Sequence, residues 1–133
     1  MANPSKDKGT RAETKVARYL SECGLPTERK ALAGSADRGD LRMTLPNGTE
    51  VTIEVKAGKQ TQNYPRSMVE DWRFQTLVEA ANSGTPGMLV IVRYRRRFED
   101  TEVWLPNMQW GGMRPGWTMM YLDEFVENVR RVG

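Results

Sequence analysis

Asp40, Glu54 and Lys56 are the residues of this chain whose types and spacing point most directly to chemistry. Leu41, Met43 and Leu45 alternate with polar residues, and after Pro46-Asn47-Gly48 so do Val51, Ile53 and Val55, the pattern of a β-hairpin. Alternate residues of a strand share a face, so Asp40, Arg42 and Thr44 oppose the first apolar set and Thr52, Glu54 and Lys56 the second. Both apolar sets must lie on one side of the sheet. A two-residue Asn47-Gly48 loop would pair Leu45 with Glu50 and mix the faces. A three-residue loop with Gly48 left-handed pairs Leu45 with Thr49, Met43 with Val51, Leu41 with Ile53 and Asp40 with Glu54.

Directly opposed residues have Cβ atoms about 4.5–5.5 Å apart. Carboxylates that close repel, and one takes up a proton unless a cation lies between them. A hard divalent ion such as Mg²⁺ suits the place, because it prefers oxygen ligands and keeps several waters. Lys56 follows Glu54 by two residues on the same face and reaches the same spot. Two acids and a lysine fit phosphodiester hydrolysis, in which a metal activates water and neutralises developing charge while the lysine orients or stabilises. Spacing alone leaves open that the three line the wet face of an exposed hairpin, since an ExK triplet is weak.

These residues need a framework. Thr10 reads as the N-cap of a first helix carrying Ala12, Val16, Tyr19, Leu20 and Cys23 at helical spacing and stopped by Gly24 and Pro26. Residues 1–8 ahead of it are expected to be flexible. A short extended piece from Glu28 to Leu32 and a Gly/Ser/Asp-rich turn from Ala33 to Gly39 lead into the hairpin. Ser67 with Glu70 three residues on predicts a capped second helix ending at Asn82-Ser83-Gly84. Met88 to Val92 reads as a buried central strand, Glu102 to Leu105 as another, and Trp117 to Tyr121 as a further candidate. Asp123 caps a last helix, Glu124 to Arg131. The order α-β-β-β-α-β-β-α makes one α/β domain over residues 1–133, with a mixed, mostly antiparallel sheet.

Composition narrows the chemistry. The 133 residues include a single cysteine, Cys23, and no histidine. That excludes an intramolecular disulfide framework, argues against zinc, and leaves carboxylate, lysine, tyrosine or metal-bound water as general base. No apolar run approaches a membrane span and the N-terminus does not resemble a signal peptide, so an intracellular, cytoplasmic protein is expected. Net charge is only +3. Its distribution is uneven: Arg93, Arg95, Arg96 and Arg97 crowd together, and Arg29, Lys30, Arg38 and Arg42 gather around the hairpin. Such clusters suit a phosphate backbone or are simply solvated.

Gly39-Asp40 followed by Ile53-Glu54-Val55-Lys56 resembles the PD-(D/E)xK nuclease pattern, with Gly39 where the motif has proline. Lys8-Gly9-Thr10-Arg11-Ala12-Glu13, then Arg29, Gly34-Ser35 and Phe74-Gln75-Thr76-Leu77 before the Met88–Val92 strand, extend a likeness to archaeal-type and phage-type Holliday junction resolvases over residues 8 to 95. The resemblance implies a restriction-endonuclease-like core, α-β-β-β-α-β, with C-terminal strands and a helix added. It implies a metal-dependent endodeoxyribonuclease, acting as a homodimer on four-way junctions in a bacterial or phage-infected cell. Mg²⁺ would be the cofactor, with Mn²⁺ able to substitute. Asp40, Glu54 and the Val55 carbonyl would hold the metal, Lys56 would be the catalytic lysine, and Glu13 an additional acid.

Alternatives stand beside several of these roles. Thr10-x-x-Glu13 is also a capping box. Gln75, on the helical row Met68, Trp72, Gln75, Glu79, either braces the site or is a surface amide. Arg29 and Arg38 either hold phosphates or pair with acids. The segment from Pro106 to Trp117 could wedge into DNA, seal a dimer or pack in the core, the last expected for Trp104 and Trp117. Other repair, restriction-like or end-processing nucleases, and a non-catalytic DNA-binding module, share the same pattern of elements.

Overall fold

The computed structural model describes residues 4–30 and 40–132, by backbone alone up to residue 10. Helix α1 (Pro4–Glu22) leads into β1 (Thr27–Arg29), β2 (Leu41–Thr44) and β3 (Glu50–Lys56). Helix α2 (Arg66–Ser83) crosses to β4 (Gly87–Ile91), and β5 (Glu102–Pro106), β6 (Trp117–Tyr121) and α3 (Leu122–Val132) complete the chain. The six strands lie in sequence order in one sheet. Only β3 and β4 are parallel, because α2 carries the chain back to the end where β3 began; the other neighbours are antiparallel. The α/β class and the element order agree with the sequence pattern.

Alternation in β3 divides the molecule into two layers. Val51, Ile53 and Val55 pack with Leu41, Met43, Met88, Val90 and Val103 against Ala12, Val16 and Leu20 of α1 and Phe125 of α3. On the opposite face Leu89 and Ile91 meet Val69 and Trp72 of α2. Every residue of β4 is buried, as its continuous apolar run requires. Because α2 covers the second face, Glu54 is only 5% exposed and lies beneath a helix, not on an open wet hairpin.

The hairpin register agrees with the apolar pattern: Leu41 pairs with Ile53, Met43 with Val51 and Thr44 with Glu50. Gly48 takes φ 87°, the left-handed conformation that the three-residue loop needs, and its N–H donates to Leu45 O. The ladder begins one residue later than expected. Asp40 bends in front of β2, its N–H donating to Ile53 O, which frees its carboxylate to turn across the strand end.

Two helix starts differ from expectation. Helix α1 begins at Pro4, a residue whose fixed φ suits the first helical position, so Thr10-x-x-Glu13 lies inside the helix and is not a capping box. Helix α2 begins at Arg66, with Pro65 preceding it, and Ser67 is already helical. Glu70 pairs instead with Arg66 at 3.3 Å. The helix stops at Gly84, left-handed at φ 68°, as expected. Arg38 and the Ala33–Gly39 turn lie outside the described residues. No helix among the described residues is long and apolar enough to cross a membrane.

Candidate active site

The strand directions sort the connections into two ends. The finishing ends of β3, β4 and β6, the start of β2 and the start of β5 meet at one end, with Asp40, Glu54, Lys56 and the Arg93–Arg97 segment. The Asn47-Gly48 turn, Gly87 and the loop between β5 and β6 lie at the other, about 16 Å away for five-residue strands. The Pro106–Trp117 loop is therefore on the end opposite the acids, not beside them. Within it Trp110 stacks edge-on against Phe125 (5.7 Å between centroids) and donates Nε1–H to Gly87 O. Trp104 and Trp117 pack against the α2 layer, as expected.

At the acid end the bend at Asp40 brings Oδ2 within 2.9 Å of the Val55 N–H. Thr52 and Lys56 direct their backbone bonds toward β4, to Pro86 O and from Val92 N–H, so the intervening Val55 turns its N–H and C=O the other way, toward Asp40. Glu54, on the α2 face, receives Lys56 Nζ at 3.3 Å and Gln75 Nε2 at 3.3 Å, both on Oε1. Gln75 is not a free surface amide: its Oε1 also accepts Lys56 Nζ at 2.9 Å and its Nε2 donates to Glu79 Oε1 at 2.8 Å. From α1, Glu13 approaches Asp40 and pairs with Arg29 at 3.3 Å. Glu13, Asp40, Glu54 and Glu79 thus form a chain of neighbouring carboxyls.

Burial and mutual repulsion govern their protonation. Burial, then the charge of Glu54, raises Asp40 to about 7, against the pull of the Val55 N–H and Lys56. Burial, then contact with Glu79, raises Glu54 to about 9, with Lys56 pulling the other way. Glu13 is raised by burial and by Asp40, while Arg29 opposes the shift. Among the described residues no three acidic or thiol side chains converge in a ready-made cage. A hard cation at this end would be met by the Asp40 and Glu54 carboxyls, which contact each other, with Glu13 reached through Asp40.

The four arginines of the β4–β5 connection have different partners. Arg93 donates to Glu102 at 2.6 Å, to Thr61 O at 2.7 Å and to Gln62 O at 2.9 Å, and stacks on Tyr64. Glu102 is buried and also accepts Tyr64 Oη and Trp104 Nε1, so Arg93 serves as its structural counter-ion. Arg95, Arg96 and Arg97 are exposed. Arg95 adopts φ 57°, a left-handed conformation unusual for a residue with a side chain, in a turn closed by Arg96 N–H to Arg93 O. Arg42, in the basic group around the hairpin, is buried against Glu50 at 2.8 Å.

Glu79 and Glu102 were not legible as site or anchor residues from motifs. For Glu79 the i, i+4 spacing from Gln75 on the inward row of α2 was the available signal.

No family model and no curated protein sequence matches the chain. Among solved structures it is similar to Hjc of Archaeoglobus fulgidus, a Holliday junction resolvase from an archaeal hyperthermophile. The TM-score is 0.56 at 20% identity, over 89% of this chain and 99% of that one. The chain therefore shares the α/β fold of that protein, with its restriction-endonuclease-like core, along nearly its whole length.

Proposed function

We propose that this chain is a divalent-metal-dependent endodeoxyribonuclease of branched DNA, and specifically a Holliday junction resolvase. One observation carries the reading: half-buried Asp40 and buried Glu54 lie against each other, with Lys56 3.3 Å from Glu54, and burial together with neighbouring carboxyls raises both. An acid pair kept protonated by burial gains little as a structural ion pair. It is the donor set expected where a hard cation replaces the protons, and Mg²⁺, which keeps much of its water shell, needs only one or two carboxylates. Asp40, Glu54 and the Val55 carbonyl would hold Mg²⁺ or Mn²⁺, with Glu13 as a further acid behind Asp40. The bound cation supplies a water of lowered pKa and a counter-charge to the phosphate.

The chain's own groups do the rest. The Val55 N–H keeps Asp40 turned across the strand end. The Lys56 ammonium, held by Gln75 and Glu54, is placed to orient the attacking water and balance negative charge at the scissile phosphate. Arg29, beside Glu13, and the exposed Arg95, Arg96 and Arg97 contact the flanking backbone; Arg38 belongs to the same proposal. Arg93 contributes by holding the connection in place. Likeness to the fold of a Holliday junction resolvase supports the choice of branched substrate. Paired nicks across a four-way junction require two such sites, hence a homodimer.

The test is incubation with labelled four-way-junction, duplex, single-stranded and flapped DNA, with Mg²⁺ and with EDTA. Paired, metal-dependent nicks near the branch point that spare linear duplex are expected. Cutting of another substrate instead would keep the site and discard the junction; binding without cutting under any divalent ion would leave a DNA-binding module.

A further inference from the structure

Glu79 is an acid in a position that packing alone would fill with an apolar residue. It is 1% exposed and lies on the inward face of α2 with Val69, Trp72, Thr76 and Ala80. Burying a carboxyl in such a row is unfavourable unless it is tied to specific partners. Its partners include the Glu54 carboxyl, which it contacts, and the Gln75 amide, one helical turn earlier, which donates to Glu79 Oε1 at 2.8 Å and to Glu54 Oε1 at 3.3 Å. The same amide accepts Lys56 Nζ through its other end at 2.9 Å.

The two ends of a glutamine amide are chemically opposite, one acceptor and one donor. Turned over, Gln75 would present N–H to the Lys56 ammonium and oxygen to the Glu79 carboxyl, and both contacts would become repulsive. We infer that Glu79 is a positioning residue: by accepting the Gln75 amide it sets the carbonyl end toward Lys56 and so fixes the ammonium beside Glu54. Lysine has a flexible four-carbon stem and needs such a guide. Without it the ammonium, 3.3 Å from Glu54 Oε1, loses the contact that holds it back and competes more freely with a bound cation for that oxygen. The inference rests on the reading of Asp40, Glu54 and Lys56 as the catalytic site.

The experiment compares full-length wild type with Glu79→Gln, Glu79→Ala and Gln75→Leu. Glu79→Gln keeps shape and an acceptor while removing the charge. The readouts are thermal melting, Mn²⁺ binding by calorimetry without DNA, and single-turnover cutting of a four-way junction at saturating DNA. Glu79→Ala and Gln75→Leu are expected to lose about tenfold or more in cutting rate, with DNA affinity unchanged. They should also bind Mn²⁺ about tenfold more weakly. Glu79→Gln should stay within about threefold of wild type in both, a difference smaller than any positioning loss. Lys56→Met placed on Glu79→Ala should recover Mn²⁺ affinity. Wild-type behaviour of Glu79→Ala or Gln75→Leu overturns the inference, as does a Glu79→Gln as defective as Glu79→Ala, which would make charge the cause. If Glu79→Ala does not fold, Gln75→Leu and Glu79→Gln decide by the same criteria. A wild type that neither binds Mn²⁺ nor cuts DNA would remove the catalytic reading itself, and this inference with it.

Discussion

The two ends of the sheet treat polar groups in opposite ways. At the far end polar groups are met by partners within the fold: Gln109 Oε1 accepts the Gly87 N–H, Trp110 Nε1 donates to Gly87 O, and Asn107 donates its N–H to Gly116 O while its oxygens accept from Gly112 N–H and Thr118 Oγ1. The result is an aromatic and apolar plug against α3. At the acid end, among the described residues, four carboxyls crowd together with Lys56, Gln75 and the exposed Arg29 against them. The nearby connection holds Arg95 in a left-handed conformation. One end is settled for stability, whereas the other keeps charge and strain that packing does not require, as the proposed function would need.

Substitutions can break that contrast. The largest stability effect is expected at Arg93, which stands at the acid end but is built like the far end. Arg93→Ala leaves Glu102 buried without its cation and should cost about 3–4 kcal/mol in chemical denaturation. A denaturation curve equal to wild type would show that Glu102 does not depend on Arg93. Trp110→Ala removes the Phe125 contact and the Gly87 bond and should cost about 3 kcal/mol, while DNA cutting per folded molecule stays the same. Lost cutting in a stable Trp110→Ala protein would tie the two ends together functionally.

Acidity sharpens the contrast more gently. Burial and the charge of Glu54 raise Asp40 from 3.8 to about 7, and burial and contact with Glu79 raise Glu54 from 4.5 to about 9. The folded state therefore holds protons that the unfolded chain has released between pH 4 and pH 9. Without divalent ions stability should fall as pH rises through that window and level off above it. Asp40→Asn should reduce the fall, and Mg²⁺ should offset it most at high pH; a flat profile would contradict the burial of the pair. The smallest effect is at Arg95. Arg95→Gly relieves the left-handed backbone and should stabilise by about 1 kcal/mol. If Arg95 meets a phosphate, the same change lowers the salt slope of DNA binding by about 1. An unchanged slope would remove it from the interface.

Much of the fold was legible because it depends on pattern. The apolar alternation of β2 and β3 can be satisfied by one register only, and Gly48 supplies the turn which that register needs. The run at β4 is buried on both faces because helices cover both. Helix starts were less legible, since Ser67 and Thr10 have the right chemistry for caps but Pro65 and Pro4 set the boundaries earlier. The acids and lysine were legible as residues, yet the bend that turns Asp40 toward Val55 is not written in alternation. The roles of Glu79, Gln75 and Arg93 depend on which element faces which across the sheet. An arginine cluster in sequence cannot tell the residue that anchors Glu102 from the three that face solvent.

The account rests on Asp40 and Glu54 as a cation-binding pair that cuts DNA, and one measurement bears on it most directly. Wild type and Asp40→Asn are given the same labelled four-way junction with Mg²⁺, after matched melting and junction-binding controls. The account predicts Mg²⁺-dependent nicking by wild type and a loss of about a thousandfold or more in Asp40→Asn, with folding and junction binding retained. Equal cutting by both proteins would contradict it.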